Sequence, residues 1–239
     1  DGDEWIINGE KSSTSIINAD GWLLLARTNP KDSGPRGISC FILTRETPGI
    51  SLSVYQDLGG RVIPRGPIAL ENVRLPATNL LGEENRGFYL IMNAFDYNRA
   101  LIGLMCLGAT EQTLQETIQF AKQRKSFGRI ITTNQGVSFP LAEAATYLEL
   151  GRWACYRVLW LRDHGWPHSK ESAMVKWWVP KTCVEIIHNC LLIHGHYGYT
   201  KEFPVEQRLR DVLGWQIGDG TAQIQKLIIA RHIIGRDFV

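Results

Sequence analysis

Residues 87–123 read GFYLIMNAFDYNRALIGLMCLGATEQTLQETIQFAKQ, a run without proline and rich in helix-favouring residues. It predicts one long helix. A helix of that length needs neighbours to cover its apolar face, and the chain after it supplies them. A loop at RKSFGRIITTN (124–134) leads to a second helix from about Gln135 to His164, with Pro140 tolerated in its first turns. A third spans about Ser169 to His194 and is expected to kink at Pro180. A short helix starts near Pro204. A last one follows Gly220, with Ile224, Leu227, Ile228 and Ile234 close to one face. Long helices with short connections predict an antiparallel bundle.

Before residue 77 the period is different. WIING, GWLLLART, GISCFILTR and PIALENVRLP are short apolar runs separated by Gly, Pro, Asn and Asp. In the last, Ile68, Leu70 and Val73 roughly alternate with other residues. These features predict an antiparallel sheet structure. The fold class is therefore α+β, with a β domain over 1–76 and a helical bundle over 77–239.

The chain of 239 residues is long enough for a sizeable core. Its 26 Lys and Arg against 24 Asp and Glu give a net charge of +2, which calls for neither nucleic acid nor an anionic membrane surface. No apolar run approaches a bilayer span. Cys40, Cys106, Cys155, Cys183 and Cys190 are odd in number and lack CxxC pairing. They predict buried free thiols and no metal site. The chain opens DGDEW without Met, as a piece of a longer protein would.

Residues 216–225, QIGDGTAQIQ, set two glycines around one aspartate at the mouth of the last helix. Asp219 suits either of two roles there. It can cap the helix, a contribution of about 1 kcal/mol, or it can act as a general base in a dry pocket that raises its pKa.

Four phrases, in order over nearly the whole chain, resemble the acyl-CoA dehydrogenase family of flavoenzymes. NVRLPATNLLGEENRGF (72–88) resembles that family's β-to-α junction. Residues 87–131 resemble its first bundle helix and following loop. IHGHYGYTKEFPVEQRLRD (193–211) resembles its HGGxGYTxExPxERxxRD segment, and IGDGTAQIQKLIIARHIIG (217–235) its IYEGTxxIQRxxIAR segment. The resemblance implies a β-barrel-like domain followed by a four-helix bundle, in a homotetramer built as a dimer of dimers. The family's N-terminal all-helical domain and the first part of its β domain have no counterpart in these residues. The resemblance also implies a reaction: a carboxylate removes the α-proton of an acyl-CoA thioester, and hydride leaves the β-carbon for FAD.

Residue by residue, the resemblance makes Asp219 the base, with aspartate where many members have glutamate. Gly218 replaces an aromatic residue and, with Gly220, leaves room for the acyl group. The shorter side chain and wider cavity favour a cyclic or branched acyl-CoA. Asp96 and Arg99 match a D-x-x-R that serves the acyl-CoA; their i, i+3 spacing also predicts a local ion pair. Arg124, Ser126 and Phe127 match an R-x-[ST]-F-G loop that meets FAD across a dimer, and Gln135 a glutamine that touches it. Thr221 and Gln223 match a hydroxyl and an amide near the adenosine half. Gly195 matches a glycine that approaches FAD, whereas Leu192 and His196 stand where the family usually has Gln and Gly. Ser15, or Thr14 in a shifted register, stands for a hydroxyl near the flavin, and the family's flavin-covering tryptophan is replaced near Ser13.

The leading expectation is thus an FAD-dependent acyl-CoA dehydrogenase that uses electron-transfer flavoprotein or a similar acceptor, in a bacterial cytoplasm or mitochondrial matrix. An acyl-CoA oxidase and a 1,4-dehydrogenase of a cyclic enoyl-CoA keep the same fold. A flavin-poor, non-catalytic partner subunit is the third expectation, motivated by Leu192, His196 and the lost tryptophan.

Overall fold

A computed structural model describes residues 2–32 and 34–239. They form two compact units, 1–94 and 95–239, dividing within the long helix and not at the change of period near Pro76. In the first unit, β1 (Glu4–Ser15), β5 (Arg65–Pro76) and β4 (Ile50–Leu52) form a sheet in the order β1-β5-β4. β2 (Gly21–Arg27) and β3 (Ile38–Thr44) form a separate antiparallel pair. Among the described residues no closed barrel is formed. The three-residue β4 is too short to leave a period in the sequence.

The irregular alternation of β5 has a local cause. Ile7 faces Val73 and Gly9 faces Leu70, so β5 carries one residue more than β1 at this point. Asn72 absorbs it with φ +50°, and its amide donates to Asn8 Oδ1 at 2.8 Å. The bulge keeps Ile68, Leu70, Val73 and Leu75 all buried despite the broken period. They pack with Ile7, Ile17, Leu24, Phe41 and Leu43, and Trp5 meets Phe41 edge-on at 5.3 Å.

The helices follow the sequence pattern closely: α1 (Gly87–Gln123), α2 (Gln135–Asp163), α3 (Ser169–His194), α4 (Val205–Gly214) and α5 (Ala222–Ile233). Within the second unit α3 packs against α2, α4 and α5. It runs unbroken through the buried Pro180. Its inward stripe, Val175, Val179, Cys183, Ile186, Ile187 and Cys190, meets Cys106 and Leu107 of α1 and Leu148, Cys155 and Val158 of α2 in one core. Arg208 of α4 grips Glu116 of α1 with Nη1 at 2.5 Å and Nη2 at 3.0 Å, which holds the Glu116 carboxyl below its ordinary range. The segment 124–134, expected as a loop, contains a small hairpin of β6 (Lys125–Ser126) and β7 (Arg129–Ile130).

All five cysteines are buried free thiols. Burial pushes Cys155 up to about 12 and Cys183 up to about 11. The native protein at pH 8 should therefore leave all five unmodified by a thiol-specific disulfide reagent, with full reaction only in denaturant. Rapid labelling of one thiol in the folded state would contradict this packing. Among the described residues no helix is long and apolar enough to cross a membrane, and no cluster of three metal-ligating side chains occurs.

Candidate active site

Asp219 lies between α4 and α5 and is half-buried. It is not the helix cap, because the N-cap of α5 is Thr221. Its backbone is left-handed, with φ +55°, an uncommon state for a residue with a Cβ. Its side chain is held by α1: Asn98 Nδ2 donates to Asp219 Oδ2 at 2.7 Å. Its carbonyl oxygen accepts from Arg99 Nε at 3.4 Å and Gln225 Nε2 at 3.3 Å.

Lys176 completes this group. The residue is 1% exposed, and its ammonium donates to Trp215 O at 2.7 Å and Gly220 O at 3.2 Å. Burial pulls its pKa down to about 8, against the opposing pull of the Asp219 carboxylate. Gly220 has φ +101°, and a Cβ there would lie 2.5 Å from Gln225 Nε2, so only glycine fits. At Gly218 a Cβ would meet the Trp215 ring at an ordinary 3.7 Å, so local packing within this unit does not demand glycine there.

The i, i+3 spacing of Asp96 and Arg99 yields the ion pair it predicts, Arg99 Nη1 to Asp96 Oδ1 at 2.8 Å. Arg99 is buried. Ser169 Oγ donates to the other Asp96 oxygen, and Ser172 Oγ donates to the Asp96 carbonyl. Asp96, Arg99, Gly218 and Gly220, which the resemblance assigns to the substrate, thus lie in the same group as Asp219, with Thr221 one residue beyond Gly220.

The remaining residues lie elsewhere on their units and make no described hydrogen bond to this group. Arg124, Ser126 and Phe127 belong to the β6–β7 hairpin. Its two-residue turn, Phe127-Gly128, has φ +49° and +78°, the pattern of a type I′ turn. Phe127 is fully exposed. A bulky side chain in a left-handed turn and pointing at solvent costs about 1 kcal/mol or more. Phe127→Asn should therefore raise stability by roughly 0.5–1 kcal/mol in urea unfolding, since Asn-Gly suits this turn; unchanged or lower stability would show that the ring contributes to the folded state.

Gln135 opens α2 and is exposed. Thr221 makes no side-chain cap bond, and Gln223 is exposed on α5. Leu192 is 60% exposed near the end of α3, Gly195 closes that helix with φ +62°, and His196 is exposed against Tyr197. His194 is buried, stacked on Phe120 at 4.4 Å, with Nδ1 3.0 Å from Cys190 O. Ser15 is exposed at the end of β1, opposite Arg65. Between Lys11 and Thr14, β1 carries one residue more than β5, and Ser13 Oγ accepts from Arg65 Nη1 at 2.9 Å.

Sequence reasoning missed Asn98, Lys176 and Gln225. A signal was present for Lys176: Ser172, Lys176, Val179 and Cys183 share the inward stripe of α3, so the spacing places a cation in the core. For Asn98, an exposed amide, and Gln225, a fully buried one, nothing local announces the bond that each makes.

Residues 85–234 match the family model described as acyl-CoA dehydrogenase, C-terminal domain. A probable acyl-CoA dehydrogenase of Bacillus subtilis is 37% identical over 98% of this chain and 62% of its own length. A cyclohexane-1-carbonyl-CoA dehydrogenase of Geobacter metallireducens is 36% identical over the same shares. The crystal structure of acyl-CoA dehydrogenase from Geobacillus kaustophilus superposes with a TM-score of 0.93 at 33% identity, again over 98% of this chain and 62% of that one. The chain thus spans less than two thirds of the length of the relatives it matches. With the α+β architecture and the ordered motifs, the match over most of the helical unit establishes that the chain belongs to the acyl-CoA dehydrogenase family.

Proposed function

We propose that this chain serves FAD-dependent α,β-dehydrogenation of an acyl-CoA thioester, with Asp219 as the base that takes the α-proton. The observation that carries this reading is the state of Asp219. A carboxylate that caps no helix is held in a left-handed backbone, with one oxygen bonded to Asn98 and its peptide fixed by two further side chains. A base must be aimed before it can be effective. The family's chemistry gives this geometry a use.

The residues present fit FAD in part. Arg124 is an exposed guanidinium at a hairpin, suited to a pyrophosphate. Ser126, Phe127 and Gln135 lie beside it in sequence, and the strained, outward Phe127 suits a ring contact. Thr221 and Gln223 keep a hydroxyl and an amide free of cap bonds at the start of α5. Leu192 offers no hydrogen bond, and His196 adds bulk beside Gly195. When bound, FAD supplies the acceptor for the hydride from the β-carbon. The chain's own part is to hold the cofactor's polar groups, orient the thioester and remove the proton.

A cyclic acyl group, of the kind named for the Geobacter relative, agrees with Gly218 beside the base and with the shorter aspartate. Electron-transfer flavoprotein as acceptor and a homotetramer follow from the same family reading. A flavin-poor partner subunit is the reading that Leu192 favours.

The test is the visible spectrum of the purified protein, before and after anaerobic addition of cyclohexanecarboxyl-CoA. A yellow protein that bleaches supports the proposal. Faster turnover of butyryl-CoA or octanoyl-CoA would remove the cyclic assignment. A colourless protein that co-purifies with a related chain would favour the partner-subunit reading, and oxygen consumption would favour an oxidase.

A further inference from the structure

The loop from Trp215 to Gly220 is held by buried side chains from three helices. Lys176 of α3 reaches both ends, Trp215 O at the C-cap of α4 and Gly220 O just before α5. Gln225 of α5 donates through one Nε2 to Asp219 O and Gly220 O at 3.3 and 3.2 Å. Arg99 of α1 adds the 3.4 Å contact to Asp219 O.

Both main donors are expensive to bury. Among the described residues Lys176 forms no ion pair within 4.0 Å, and its hydrogen bonds go to neutral carbonyls. Burying an ammonium on such terms is unfavourable. Gln225 is fully buried, and its Oε1 has no partner within the protein. An orphaned acceptor costs about 1–3 kcal/mol, so an apolar side chain would fill the space at less cost. What the two side chains do achieve is a fixed geometry for three carbonyls around one residue. Reversing Asp219 to the common negative φ would turn its peptides away from these donors.

We propose that Lys176 and Gln225 are positioning residues that clamp the Asp219–Gly220 backbone and so decide where the Asp219 carboxylate points. This rests on the reading of Asp219 as the base. Neither residue touches the reacting atoms. Loss of a prong should therefore slow the chemical step without weakening substrate binding, because a shift of about 1 Å at a base costs on the order of a hundredfold.

The test compares Lys176→Met and Gln225→Leu with the wild-type holoenzyme. Each variant is expected to lower kcat by about 10–100-fold while KM for the acyl-CoA and the FAD content stay within about twofold. A crystal structure of each variant should show Asp219 out of its left-handed state or the 215–220 loop without a single conformation. Unchanged kcat in a folded variant, or an unchanged loop, would overturn the clamp. So would a rise in KM and a loss of FAD content in step with the fall in kcat, the mark of general disruption. If Lys176→Met does not fold, Gln225→Leu decides alone, since it leaves no charge behind. The loop conformation reads the clamp whatever the chemistry, and Asp219→Asn reads the base, so the two failures are distinguishable.

Discussion

Asp219→Asn in the holoenzyme should lower the rate of anaerobic flavin bleaching by about 10²–10⁴-fold, the share that a positioned general base supplies. The substitution is nearly isosteric. Asn98 Nδ2 can still donate to the side-chain oxygen, and the carbonyl of residue 219 keeps its bonds from Arg99 and Gln225. The left-handed backbone is as accessible to asparagine as to aspartate. Fold, FAD content and acyl-CoA affinity should therefore be unchanged, and the loss should appear in kcat. A variant that bleaches at the wild-type rate would leave Asp219 without a role as base, and the search would move to another carboxylate. Asp219→Glu is the informative companion. It adds one methylene, about 1.5 Å of reach, in a loop whose backbone is already fixed. It should favour a straight-chain over a cyclic acyl-CoA relative to the wild type, measured as the ratio of kcat/KM for the two. An unchanged ratio would separate the length of the base from acyl selectivity.

Arg99→Met should destabilise the fold by about 3–5 kcal/mol in urea unfolding, the cost of leaving one member of a buried pair alone. Arg99 is 5% exposed, and the carboxylate of Asp96 that it serves is itself largely buried. Methionine fills much of the space, so the loss would report the uncompensated carboxylate more than a cavity. The serine that donates to the same carboxylate compensates only in part. The measurement also bears on the role that the family resemblance gives Arg99. An arginine whose main work lies inside the helical unit loses stability on substitution with no ligand present. One kept for acyl-CoA would leave stability within about 1 kcal/mol of the wild type and raise KM. Asp96→Asn should also destabilise, because it leaves the buried Arg99 cation without its carboxylate, and the retained amide oxygen offsets this only in part.

The periodic content of the chain fixed most of its architecture. The proline-free run at 87–123, the breaks at 124–134 and 164–168, Pro204 and the Gly-Asp-Gly before α5 place the starts of the α-helices among the described residues to within a residue or two. A helix of several turns repeats its burial pattern many times, so the signal accumulates. The elements that escaped are those too short to repeat: β4 with three residues and the β6–β7 hairpin with two on each side. The bulge at Asn72 was hidden for a related reason, because one added residue reads as noise in a period of two.

The site divides in the same way. The sequence alone singled out Asp219, since two glycines around a carboxylate at a helix mouth are a local pattern. It also gave the Asp96–Arg99 pair, since i, i+3 is a local geometry. Only the tertiary structure removed the cap reading, by giving the N-cap to Thr221 and turning the Asp219 carboxylate to Asn98, which lies 121 residues away in the chain. Only the tertiary structure brought Lys176 to the carbonyls of Trp215 and Gly220 and Gln225 to those of Asp219 and Gly220. Hydrogen bonds to a backbone carbonyl carry no side-chain complement at the receiving end. No residue type at 215, 219 or 220 announces a donor arriving from another helix, and packing of α3 and α5 is what delivers it.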